Sequence, residues 1–392
     1  MKTTLREAAV EKLREGLAAA SYSYTGGATH AFYHYPARFS PQVARAVIEI
    51  FSRRNDVVLD PFMGGGTGII EGLMLGRRMV GVDLNALACF VTDVRTRPLS
   101  TQDEDALRTW AEEAARDFGG PLTEDVDIPG IENLPRAVEV FMAGSSDLSD
   151  KLEFRRQQTF ARCALLRLGQ WVLDCRDFVS PRRKQLANRL PVLVDEMIAG
   201  LHEFVENCRD VDVAKNEIAG RRTLLHRSAV GLDRERGLLH LDRRPNLVFT
   251  SPPYPSVHVL YHRWQYRGRR ETPAPYWIAR VPDGFYESYY TGGSRTPTGR
   301  RNYFNMIRSA FTSVRGVVSP KAMVVQLVGF SDTATQLPLY LEAMDEAGFD
   351  EWTPTLAERE TLVRRVPNRK WYARLQGALD ASTELLLFHT PR

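Results

Sequence analysis

A short apolar run that breaks into a glycine-rich turn limits most strongly what this chain can fold into. Val57-Val58-Leu59-Asp60-Pro61 leads into Phe62-Met63-Gly64-Gly65-Gly66-Thr67-Gly68, and apolar residues resume from Ile69 to Leu75. A β-branched apolar run bounded by proline and glycine reads as a buried strand, and the segment after the turn reads as a helix. Glycines reach φ > 0 and let the backbone approach a ligand closely. The helix N-terminus beyond them favours negative groups. Arg78-Met79-Val80-Gly81-Val82-Asp83 then reads as a second strand ending in an acid, which can accept hydrogen bonds from the two hydroxyls of a ribose. A dinucleotide fingerprint needs a third glycine at position 69, where Ile69 stands, and the Gly-Lys-Ser/Thr of a phosphate loop is absent.

A second stretch carries the chemistry. Asn246-Leu247-Val248-Phe249 reads as a buried strand, followed by Thr250-Ser251-Pro252-Pro253-Tyr254. Two prolines cannot continue a sheet ladder, so the strand must stop at Ser251. A tip with a hydroxyl, rigid carbonyls and an aromatic ring suits a flat group bearing an amine. The amine can donate to Ser251 Oγ and the Pro252 carbonyl while Tyr254 stacks on the ring. The tip offers neither a strong base nor a thiol nucleophile.

With these residues in view, the sequence resembles the amino-group DNA methyltransferases, which act on cytosine N4 or adenine N6 and use S-adenosylmethionine (AdoMet). Ser251-Pro252-Pro253-Tyr254 resembles their catalytic motif, and Asp60-Pro61-Phe62-x-Gly64-x-Gly66-Thr67 their AdoMet motif. The resemblance covers residues 30–95 and 220–390 and leaves 100–220 unmatched. It implies a cofactor site made of His34, Pro36, Phe39, Asp60, Pro61, Phe62, Gly64, Gly66, Thr67, Asp83, Leu84 and Ser228. Ser228 stands where the family usually places an acid for the adenine amine. Ser in the first place of the tetrapeptide is commonest, within the family, in cytosine enzymes. The resemblance therefore implies methyl transfer from AdoMet to the N4 amine of a flipped cytosine in double-stranded DNA. It also implies a role in restriction-modification or phage defence, with a cognate restriction endonuclease as partner. An adenine N6 enzyme, an RNA base methyltransferase and an inactive DNA-binding module are the alternatives.

Net charge is only +4, so its distribution matters more than its sum. Residues 101–150 hold thirteen acids against three arginines, and such a segment is not expected to lie on phosphates. It reads as a solvated, partly helical insertion with loops at Gly119-Gly120-Pro121 and Gly144-Ser145-Ser146. Residues 151–190 hold ten Lys or Arg against three acids, including the run Arg182-Arg183-Lys184. A long helix follows, with Leu186, Leu190, Leu193, Met197, Leu201 and Phe204 on one stripe. That stripe is expected to pack against a helix around Phe160, Leu168 and Trp171. Residues 255–301 mix eight arginines with many aromatic rings, a pattern that suits phosphate contacts beside base stacking. Arg263, Arg267, Arg269 and Arg270 are expected to grip DNA beside the target, with Trp264 or Tyr266 filling the gap left by the flipped base. An aromatic loop at Ser21–Phe39 is expected to line something flat or apolar.

The expected class is α/β: a Rossmann-like AdoMet methyltransferase fold with a mostly parallel seven-stranded sheet, a closing antiparallel strand and a largely helical insertion. The catalytic domain is expected to span 1–100 and 221–392, with 101–220 as the insertion and a target-recognition region. Four cysteines without close pairs argue against zinc and against disulfides, so no metal is expected and the cytoplasm is. No apolar run approaches the length of a membrane span.

Overall fold

The computed structural model describes residues 7–19, 27–34, 40–121, 126–174, 182–255, 258–260, 264–267, 270–283, 289–291, 296–352, 362–366 and 382–392. The helices are α1 (Glu7–Ala19), α2 (Pro41–Phe51), α3 (Thr67–Met74), α4 (Ala86–Arg95), α5 (Thr101–Gly119), α6 (Arg136–Asp150), α7 (Arg155–Leu173), α8 (Arg183–Arg209), α9 (Arg236–Leu239), α10 (Ala274–Ala279), α11 (Pro297–Val317) and α12 (Thr333–Glu346). The strands are β1 (Val57–Asp60), β2 (Arg78–Asp83), β3 (Arg222–His226), β4 (Leu247–Thr250), β5 (His258–Leu260), β6 (Trp264–Tyr266), β7 (Arg270–Thr272), β8 (Tyr289–Thr291), β9 (Met323–Phe330), β10 (Phe349–Glu351), β11 (Val363–Val366) and β12 (Ser382–Pro391).

The main sheet runs β10-β12-β9-β4-β1-β2-β3, with β11 pairing to β12 off that path. Neighbours are parallel along β9-β4-β1-β2-β3, while β12 runs antiparallel to β9, β10 and β11. This seven-strand path with one reversed strand is the AdoMet methyltransferase fold. Strand residues alternate between two cores. Val58, Leu247, Phe249, Val325, Leu327, Leu386 and Phe388 join the core that includes the insertion. Val57, Leu59, Val80, Val248, Val324, Val328 and Leu387 join the one under α11 and α12. The sheet is thus covered on both faces, and its strands read as continuous apolar runs for that reason. Strand order reverses at β1, whose neighbours are β2 and β4. A crevice at the carboxyl ends of β1 and β4 follows from such a reversal.

Between α4 and β3 the chain runs through α5, α6, α7 and α8. Every apolar residue of the stripe expected on α8 is buried. Three expectations for this region need correction. Gly144, Ser145 and Ser146 form no loop but lie buried inside α6. Gly144 is small because the Phe118 ring occupies the space where its side chain would stand. Trp171 is 42% exposed instead of packed in the core. The acidic stretch is also less solvated than expected, with Asp103, Glu104 and Glu139 buried. No helix among the described residues is long and apolar enough to cross a membrane.

Candidate active site

β1 ends at Asp60, and the chain turns through the glycines into α3. Gly64 takes φ +50° and Gly66, the N-cap of α3, φ +77°. A side chain at 66 would also stand 2.5 Å from the side chain of Thr92. Glycine is thus required there for both the backbone angle and the space. β2 delivers Asp83 to the same place. Its two carboxylate oxygens accept from the amides of Gly64 and Asn85, each at 2.8 Å. The carboxylate therefore braces the turn while remaining only half-buried. Leu84, next in the chain, is 46% exposed, an apolar surface at the carboxyl end of β2.

The turn is clamped from behind. Arg95 of α4 is buried and donates to the carbonyls of Gly65, His30 and Tyr33. His30 Nε2 lies 2.7 Å from Glu71 of α3, whose other oxygen accepts from Arg45 at 3.0 Å. At its described residues the aromatic segment thus lines apolar core and not a flat ligand. Phe32 and Tyr33 are each 1% exposed because they pack into the core behind the turn. His34 is exposed and bonded through its backbone to Gln170. Pro36 and Phe39 lie outside the described residues. Pro61 and Thr67 are buried, and Phe62 packs on Phe311 at 6.3 Å. Ser228 is exposed beyond β3, its Oγ accepting from Val230 N.

β4 delivers the tetrapeptide across the reversal point. Thr250 Oγ1 donates to Asp60 Oδ1 at 2.7 Å, a buried bond that ties the two strand ends together. Burial raises the Asp60 carboxyl to about 7; the bonds from Thr250 and Phe62 N oppose this, and the charge of Asp83 adds to it. Its Oδ2 is buried without a hydrogen-bond partner. Beyond Thr250 the strand ends, as two prolines require. The Pro253 carbonyl accepts from Tyr303 of α11 at 2.8 Å. Ser251 Oγ lies 3.2 Å from Tyr254 Oη, which lies 3.0 Å from Glu384 Oε1 of β12.

The stretch after the tip departs from expectation at Trp264. It is 1% exposed, its indole packs where a side chain on Gly169 of α7 would stand, and its Nε1 donates to Tyr33 Oη at 3.1 Å. It is therefore a core residue that fastens β6 to α7, not a ring free to enter DNA. Arg267 and Arg270 are exposed, as are Arg182 and Lys184, while Arg183 is half-buried. Arg263 and Arg269 and the side chain of Tyr266 lie outside the described residues. Arg280 pairs with Asp150 of α6, and Asn133 donates to the Glu271 carbonyl, so the acidic insertion touches the basic stretch. A groove of about 560 Å³ along α4 is lined by Phe90, Arg97, Arg155, Arg156 and His226. Arg97 pairs there with Asp93 and Arg156 with Asp103.

Residues 14–91, the segment that holds the glycine turn and both strand ends beside it, match the DNA methylase family model. Over that segment the chain is similar to the amino-group DNA methyltransferases. It is 36% identical over 74 residues to the Type II methyltransferase M.MvaI of Kocuria varians, covering 18% of this chain and 16% of that protein. It is 22% identical over 105 residues to the Type II methyltransferase M.MjaII of Methanocaldococcus jannaschii, covering 27% of this chain and 20% of that protein. The matches thus span a fifth or less of these relatives. Among solved structures, TrmN from Thermus thermophilus aligns at a TM-score of 0.33 and 10% identity, over 90% of this chain and 49% of that one. A SAM-dependent methyltransferase from Agrobacterium tumefaciens aligns at 0.32 and 11%, over 91% and 64%. The cofactor that goes with this family and fold is AdoMet. The residues present fit it: a turn kept free of side chains, an acid at the second strand end and an exposed leucine beside that acid.

Among the residues that brace the site, Arg95, Tyr303 and Glu384 escaped the sequence reading. Arg95 sits in a helix with no motif around it. Tyr303 and Glu384 lie 50 and 130 residues beyond their partners. The small residue at Gly329, against which the Tyr254 ring lies, was the one available signal.

Proposed function

We propose that this protein methylates the N4 amine of cytosine in double-stranded DNA, at a specific sequence and as part of restriction-modification. The observation that carries the reading is the meeting of the glycine turn and the Ser251–Tyr254 tip across the Thr250–Asp60 bond. AdoMet supplies an electrophilic methyl group there. Gly64, Gly66 and Thr67 would hold its methionine end, Asp83 its ribose, and Leu84 and Ser228 its adenine.

A base inside a duplex cannot reach such a crevice, so it must flip out. Tyr254 would stack on it. Ser251 Oγ and the Pro252 carbonyl would accept the amine hydrogens and turn the nitrogen lone pair toward the methyl group. Catalysis is then mostly alignment. The exposed Arg267 and Arg270, with Arg182 and Lys184 on the insertion, are the candidate phosphate contacts. The names of the two relatives, both Type II methyltransferases, support a restriction-modification setting; a cognate endonuclease is the partner such a setting would call for. Ser251 favours cytosine over adenine.

Sequencing the DNA of an expressing host, by a method that separates N4-methylcytosine from N6-methyladenine, tests the reading. N4-methylcytosine at one short sequence is the expected result. N6-methyladenine would replace the target base and keep the mechanism. Unmodified DNA from a host making the folded protein would overturn the proposal.

A further inference from the structure

We infer that Glu384 makes Ser251 an obligate hydrogen-bond acceptor, so that the pocket admits a base carrying an exocyclic amine and rejects one carrying a carbonyl in its place. This rests on the function proposed above and deepens it.

The inference comes from donor and acceptor accounting. Glu384 is 8% exposed, and its Oε1 accepts from Tyr254 Oη at 3.0 Å. Tyr254 Oη then presents lone pairs to Ser251, 3.2 Å away, and the serine O–H donates to it. With its one proton committed, Ser251 Oγ has lone pairs alone to offer a base. An amine N–H satisfies them. A carbonyl oxygen at the same place would bring lone pair against lone pair.

The fold builds this chain deliberately. Glu384 is paired in register with Gly329 across β12 and β9. A side chain at 329 would stand 2.6 Å from the Tyr254 ring. The missing side chain lets the ring lie across β9, and the register places the carboxylate where the ring ends. Glu384 touches no substrate here; it is a positioning residue that acts through Tyr254 and Ser251.

The test uses the full chain and a duplex holding its methylation site. The target base is compared with the same base whose amine is a carbonyl, uracil for cytosine or hypoxanthine for adenine. The parent should bind the amine-bearing duplex at least about tenfold better, a typical discrimination for a correctly paired base edge. Glu384→Met keeps the volume and removes the acceptor, so Tyr254 and Ser251 can reverse their bonds. The preference should fall about tenfold, toward none, with AdoMet affinity unchanged. Tyr254→Phe removes the acceptor of the serine proton and should collapse the preference too. It decides the matter if Glu384→Met does not fold. An unmoved preference in either folded variant, even with slower turnover, reduces Glu384 to a packing role and overturns the inference. A parent that methylates no DNA overturns the proposed function first, and this inference with it.

Discussion

The two halves of the crevice are secured in opposite ways. The glycine turn is held mainly by partners close in sequence: Asp83 braces Gly64 from 19 positions away and Arg95 holds Gly65 from 30. Many of these contacts end on backbone amides and carbonyls. The end of β4 and the Ser251–Tyr254 tip are held by side chains from afar: Asp60 bonds Thr250 from 190 positions, Tyr303 bonds Pro253 from 50 and Glu384 bonds Tyr254 from 130. A site made of local backbone contacts leaves its mark as a motif, because glycine and proline are demanded at fixed spacings. A site made of distant side chains leaves a motif only at its tip.

That contrast can be broken experimentally, and the largest effect is expected on the side of the tip. Trp264→Ala should destabilise the protein by roughly 3–5 kcal/mol, the usual cost of truncating a large buried ring. Chemical denaturation measures this. Retained stability with weakened DNA binding would return Trp264 to the interface and dissolve the long-range fastening of β6 to α7. A smaller effect is expected at the turn. Asp83→Ala should weaken AdoMet binding by roughly 1–3 kcal/mol, as expected when a charged acceptor is lost. Calorimetry measures it, and unchanged affinity would make Asp83 a brace only.

The smallest effect belongs to the bond that joins the halves. Asp60 has a carboxyl raised from 3.8 to about 7. A raised carboxyl binds its proton more tightly when folded, so its contribution is full below the unfolded value and is lost as pH climbs through about 7. The parent without cofactor should therefore melt lower at pH 8 than at pH 5 by more than Asp60→Asn does. Identical pH dependence in the two proteins would show that Asp60 is ionised throughout and that the seam carries no titrating group.

What the sequence made legible follows the same division. The mostly parallel sheet, the reversed closing strand, the glycine turn and the end of β4 were all readable, because apolar runs, Gly and Pro report directly on backbone. Trp264 was misread because arginines surround it in sequence, and nothing local reveals the bare flank of Gly169 that receives it. Gly144-Ser145-Ser146 was misread for a related reason. Glycine marks close packing as readily as it marks a turn. Glu384 was invisible because a lone acid in an apolar strand carries no spacing.

β12 has a neighbour on each side: β9 along Thr383–His389, and β11 and β10 in succession along the other edge. Among the described residues none of β9, β10 and β11 pairs with another of the three, so this one strand holds that flank of the sheet together. It also supplies the carboxylate under Tyr254. Completion of the sheet and polarisation of the pocket are therefore a single event. A chain in which β12 has not yet docked has both an unfinished edge and a serine free to point its proton either way, so the ability to tell an amine from a carbonyl arrives only with the finished fold.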